Sequence, residues 1–168
     1  NARDARIFQK QCLTLVEHGY NVSLIVPNAN SEIIDNINIV GVKFNMNPIN
    51  RLIIGAFKVY KKAVELDADI YHIHDIELFK YGLKLKKLGK KVIFDSHEDW
   101  LMYVHDISFF PKKLKKIVIK YLHQMYEKHL NSYDAVITVS PHIVKSLKQY
   151  CENIYMVTNY PIYNNQKS

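Results

Sequence analysis

The chain has 168 residues and a net charge of +7, from 23 basic and 16 acidic side chains. Hydrophobic residues make up 48% and charged residues 23%, which excludes a disordered chain and permits a packed core. Five glycines and five prolines exclude collagen-like and low-complexity classes, and two cysteines exclude a disulfide framework. The length predicts one domain or two small ones, and residues 1–168 are read as a single domain. The compartment expected from two thiols is a reducing cytoplasm. The longest apolar run near position 52, Leu52-Ile-Ile-Gly-Ala-Phe57, falls well short of the roughly 18 residues of a membrane span. Arg3, Asp4 and Arg6 precede any apolar stretch, so no signal peptide is expected.

In chain order, residues 4–18 have helical spacing, with Phe8, Cys12, Leu15 and Val16 on one face and Gly19 as the stop. Val22-Ser-Leu-Ile-Val26 predicts a buried strand closed by Pro27, and Ile37 to Phe44 predicts a second. Residues 50–66 are helical, with Ile53, Ala56, Phe57, Tyr60 and Val64 in register. Ile70-Tyr-His-Ile-His74 predicts a strand, and residues 77–88 a helix through Leu78, Tyr81, Leu85 and Leu88, closed by Gly89. Val92-Ile-Phe94 predicts a strand. Residues 96–110 are polar and aromatic and predict an irregular stretch. Pro111 fits the first turn of a long helix with Leu114, Ile117, Val118, Tyr121, Leu122 and Met125 inward. Ala135 to Val139 predicts a strand, 141–150 a helix and Ile154 to Val157 a last strand. Strands alternating with helices predict a Rossmann-like α/β fold, three layers deep, with a mainly parallel sheet.

Lysines concentrate in two of the predicted helices, six within residues 80–91 and six within 112–128. The 111–128 helix joins a basic side to an apolar one, which suits a sheet-packing helix or weak contact with an anionic membrane. Nucleic acid is not expected, because no recognition helix and no aromatic stacking platform accompanies the lysines.

Ligands in a parallel α/β sheet bind at the carboxyl ends of the strands. The residues after each predicted strand include Asn28, Asn45, His74 and Asp75, Asp95 to Glu98, Ser140 and Asn159. One edge of the sheet thus gathers imidazoles, carboxylates, hydroxyls and amides. His97, in Asp95-Ser-His-Glu98, suits a hydrogen bond to a sugar hydroxyl or acid–base work; it and Asp95 equally suit capping of the next helix. His72 and His74 alternate on one strand beside Asp75. With His97 and Asp95 on the neighbouring strand they suggest a metal cluster and a metal-dependent hydrolase. Ser140 precedes a Pro and a helix, where a hydroxyl serves as an N-cap. No GxGxxG, GxxxxGK[ST] or GxSxG run occurs, which argues against dinucleotide oxidoreductases, P-loop NTPases and α/β-hydrolases. A non-catalytic module binding glycans or anionic surfaces is a third reading.

Several runs together resemble glycosyltransferase family 4. They are Asp4-Ala-Arg-Ile-Phe8, Leu15-Val-Glu-His-Gly-Tyr-Asn-Val22, Ala68-Asp-Ile-Tyr-His-Ile-His-Asp75, Val92-Ile-Phe-Asp-Ser-His-Glu98, Asp134-Ala-Val-Ile-Thr-Val-Ser140 and Asn159-Tyr-Pro161. The resemblance implies the N-terminal, acceptor-side half of a GT-B architecture, in which two Rossmann-like domains face across a cleft. It implies a retaining, nucleotide-sugar-dependent glycosyltransferase acting in capsular or other surface polysaccharide synthesis. The acceptor would be a glycan or lipid-linked, and the enzyme cytoplasmic or peripheral at the inner membrane face. It implies no cofactor and no metal. The donor would be held mainly by a second domain bearing a Glu-x7-Glu motif, which these 168 residues do not contain, and a first strand with a glycine-bearing loop would lie upstream of Asp4 and Arg6. By the same resemblance His97 matches the histidine that reaches the donor sugar. His74, Asp75, Glu98, Ser140 and Asn159 are the expected substrate-binding residues. The fragment alone is expected to be inactive.

Overall fold

The computed structural model describes residues 4–45, 47, 50–108 and 111–160. The chain divides into two compact units at Ala68 and Asp69.

The first unit opens with Asp4, whose side chain accepts hydrogen bonds from the Arg6 and Ile7 amides, both at 2.9 Å, and so starts a helix. The Ile7 amide leads in holding the Asp4 carboxyl below its ordinary pKa. Residues Ile7–Cys12 are wound as a π-helix and continue into α1 (Leu13–Glu17). Phe8 and Cys12 point into a core with Val26, Ile37 and Ile39, while Leu15 stays exposed rather than joining the expected face. Burial pushes the Cys12 thiol up to about 11. The sheet holds β1 (Val22–Pro27), β2 (Glu32–Ile34) and β3 (Ile37–Val42) in the order β1-β3-β2. β1 and β3 run parallel, Val22 opposite Ile37 through Pro27 opposite Val42. β2, which the sequence pattern does not predict, is an antiparallel edge joined to β3 by Asp35 and Asn36 at φ +50° and +62°.

The helix expected over 50–66 is a π-helix at Arg51–Gly55 followed by α2 (Ala56–Leu66). Its inward face differs from the expected one. Gly55, Ala56 and Ala63 are buried, whereas Ile53, Phe57 and Val64 are exposed. At Gly55 the reason is closeness: a Cβ there would lie 2.4 Å from the Phe44 ring, so only glycine fits.

The second unit carries a four-stranded, wholly parallel sheet in the order β4 (Ile70–Ile73), β5 (Lys91–Ser96), β6 (Ala135–Thr138), β7 (Ile154–Met156). A 3-10 turn at Ile76–Leu78 leads into α3 (Phe79–Lys87), which buries Phe79, Tyr81, Gly82 and Leu85 and leaves Leu88 outside. Phe79 is the hub of an aromatic cluster with Phe94, Tyr126 and Tyr133, at ring-centroid distances of 5.2, 5.9 and 5.0 Å. The Tyr133 hydroxyl donates to the Phe79 carbonyl at 2.6 Å. Burial raises the phenol pKa of both tyrosines. At the other end of the strands, Asp134 accepts from Lys86 Nζ and from the Val92 amide, both at 2.7 Å, and pins the start of β5.

The stretch 96–110 is not irregular throughout. It contains α4 (Trp100–Asp106), whose N-cap Asp99 accepts from the Met102 amide at 3.2 Å; Phe109 and Phe110 lie outside the described residues. Pro111 precedes α5 (Lys112–His129) at the N-cap position. Leu122 and Tyr126 are the buried residues of α5. Leu114, Ile117 and Tyr121, expected inward, are exposed, Ile117 at 64%. After β6, α6 spans Pro141–Leu147. Among the described residues no helix is long and apolar enough to cross a membrane.

Candidate functional site

The carboxyl ends of β4, β5 and β6 concentrate the polar side chains of the second unit. Asp95, Ser96 and Thr138 are fully buried there. Their placement follows from pairing: β5 and β6 are in register with Ser96 opposite Thr138, and β4 and β5 with Ile73 opposite Phe94. One step further along that register, His74 stands beside Asp95.

His97 lies just past the end of β5 and is half-buried. The turn that carries it is held from both sides. Ser96 Oγ donates to the Glu98 carbonyl at 3.1 Å, and Asp99, besides capping α4, sits 3.4 Å from Nε2 of His142 on α6. Three buried polar atoms in this neighbourhood of the chain have no hydrogen-bond partner among the described residues: Nδ1 of His97, Nε1 of Trp100 and Oγ1 of Thr138. An unsatisfied buried polar atom costs about 1–3 kcal/mol. A ligand bearing hydroxyls or phosphate oxygens would remove that cost.

The remaining expected site residues fall as follows. Asp75 follows β4 in an extended conformation, and its carbonyl accepts from the Leu78 amide at 3.0 Å, starting the 3-10 turn. Glu98 is exposed beside His97, and Asn159 is exposed beyond β7. Pro161 lies outside the described residues. The Ser140 hydroxyl accepts from the Ile143 amide at 3.4 Å as the N-cap of α6. His72 and His74 stack at 4.4 Å between ring centroids and face Asp95, not His97. The metal-type grouping among the described residues is therefore His72, His74 and Asp95. The expected participation of His97 in it is corrected, because the regular β5 pairing ends at Ser96 and does not carry the imidazole back to the His pair. Capping of the next helix falls to Asp99 rather than to Asp95 or His97.

Sequence reasoning missed Thr138, Trp100 and Asp99. Thr138 was hidden inside an apolar strand run and needs the β5–β6 register to be seen. An Asp ahead of Trp100-Leu-Met is an N-cap pattern that had been available in the residues.

The model of Glycosyltransferase Family 4 matches residues 6–159. The chain belongs to glycosyltransferase family 4. Among curated proteins none matches it. Its Rossmann-like α/β fold is accordingly that of a GT-B domain, and the glycosyltransferase family implies a sugar donor and an acceptor as partners. The strand-end chemistry of this glycosyltransferase domain lies within the matched residues, His97 included.

Proposed function

We propose that the chain is the acceptor-side half of a retaining, nucleotide-sugar-dependent glycosyltransferase of surface, including capsular, polysaccharide synthesis. The observation that carries this reading is Nδ1 of His97, a buried ring nitrogen without a hydrogen-bond partner among the described residues, on a turn fixed by Ser96 and Asp99. Such an atom is preorganised for a sugar hydroxyl or for charge that develops in the transition state. In the reaction the anomeric carbon leaves the diphosphate oxygen and bonds the acceptor oxygen on the same face. The acceptor's proton departs with the leaving diphosphate. Asp75, Glu98 and Asn159 are the acceptor-side groups; His74 is turned to Asp95 and Ser140 to its helix cap. Donor binding belongs to a second domain beyond these residues, and no cofactor takes part.

The test, run on the full-length enzyme that carries the donor-binding domain, is transfer from labelled nucleotide sugars to glycan or lipid-linked acceptors, with the anomeric configuration of the product read by NMR. His97→Ala should lower turnover by about 100- to 1,000-fold, the cost of one preorganised contact. Its melting temperature should stay nearly unchanged, since among the described residues the His97 ring makes no hydrogen bond to lose. Normal turnover in that variant rejects the role of His97, and an inverted product rejects retention.

Peripheral attachment to an anionic membrane is part of the same reading. It is supported by α5, where Leu114, Ile117 and Tyr121 are exposed among Lys112, Lys113, Lys116 and Lys120. Each lysine near such a surface contributes about 1 kcal/mol. Binding to phosphatidylglycerol vesicles at low salt should be lost at high salt; no binding at low salt removes the proposal.

A further inference from the structure

His72, His74 and Asp95 bring three ligating atoms to one point. Strand geometry does the placing. Alternation along β4 puts both imidazoles on one side, and the β4–β5 register puts Asp95 beside them. Asp95 is 0% exposed. Its Oδ2 lies 3.3 Å from Nε2 of His72 and 3.4 Å from Nδ1 of His74. One ligating atom from each of the three residues lies within 4.8 Å of the other two.

The distances separate two explanations. A charge-assisted N–H···O bond between imidazolium and carboxylate closes to about 2.7–2.9 Å. Both contacts here are longer, and Nε2 of His72, though buried, makes no hydrogen bond among the described residues. A tetrahedral zinc ion with bonds of about 2.0–2.2 Å holds its ligand atoms about 3.4 Å apart. The two separations measured from Oδ2 of Asp95 match that edge. The donor set agrees: two imidazoles and one carboxylate suit zinc and its neighbours, whereas magnesium and calcium prefer all-oxygen shells.

We propose that Nε2 of His72, Nδ1 of His74 and Oδ2 of Asp95 bind a zinc-class divalent ion. The fourth position is left for a water molecule or a ligand hydroxyl. Held this way, the ion ties the end of β4 to the end of β5 directly ahead of the turn that carries His97. The site is independent of the transfer reading, since it needs neither donor nor acceptor.

The experiment is zinc and cobalt titration of the metal-stripped protein, without sugar present and without an affinity tag. Wild-type protein should take up one zinc per chain, and cobalt should give the intense visible bands of a tetrahedral site. His72→Ala should weaken zinc binding by more than about 100-fold, because loss of a direct ligand exceeds the 10- to 100-fold cost of losing a supporting group. His105→Ala, at an exposed histidine, should bind zinc normally. His72 is partly exposed, so its variant keeps the fold where Asp95→Asn would put a buried site at risk; far-UV circular dichroism checks this. Absence of stoichiometric zinc in the wild type, or full retention by His72→Ala, overturns the site. Either result leaves the transfer assay untouched.

Discussion

The two units end their strands differently. In the first unit the polar residue after β1, Asn28, spends both ends of its amide on the chain itself. Its Nδ2 donates to the Phe44 carbonyl at 2.8 Å and its Oδ1 accepts from the Phe44 amide at 2.9 Å. In the second unit His97 and Trp100, after β5, leave ring nitrogens without hydrogen-bond partners among the described residues. The same cue in the sequence, a polar residue just past an apolar strand, therefore has two meanings. Where the amide is consumed by backbone it is architecture. Where the atom is buried and unsatisfied it waits for something outside the chain.

That contrast can be attacked from either side. Asn28→Ala removes two hydrogen bonds and puts a Cβ residue without a polar side chain at φ +54°. It should cost about 1–2 kcal/mol in denaturant unfolding. Turnover of the folded fraction should not change; a selective loss of turnover would make the first unit's strand end part of the site. Ser140→Ala should cost about 1 kcal/mol, the value of an N-cap. If it also raises KM at constant stability, the hydroxyl serves substrate as well as α6.

The smallest effect concerns Asp134, at the opposite end of the strands. Burial alone would raise its pKa, but the Lys86 ammonium, the Val92 amide and Lys91 together hold the carboxyl below its usual range. A carboxylate depressed in the folded state contributes stability above its unfolded pKa of about 3.9, and that contribution is lost as pH falls through the folded value. Asp134→Asn should flatten the stability profile below about pH 4 and leave turnover alone. An unchanged acid limb would mean that the Lys86 pair carries no folding energy.

Strand placement and the parallel class were legible in the residues, because runs such as Val22 to Val26 and Ala135 to Thr138 have no competing period. Helix faces were less so. α2 and the turn before it bury the small residues Gly55, Ala56 and Ala63, with Phe44 pressed against Gly55, and no periodicity of large apolar residues can announce that. α5 exposes Leu114 and Ile117 because the cluster it packs on engages only its later turns, through Leu122 and Tyr126. For the site, the positions of His97 and Asp95 follow from counting past a strand. Which imidazole meets which carboxylate does not, since it depends on register, and register is a property of two strands together.

The turn at Asp35 and Asn36 bears on that last point. With both residues at positive φ, it is a two-residue link that allows a single alignment of β2 against β3, Ile34 opposite Ile37. Because β3 is already held in register by β1, a slip of one position would reverse the facing of β2 and turn Ile34 away from the core that Ile37 and Ile39 line. Two short polar side chains at the edge of this sheet thus decide which side of β2 faces the core. They do so through nearest-neighbour geometry alone, before any distant part of the chain has to arrive.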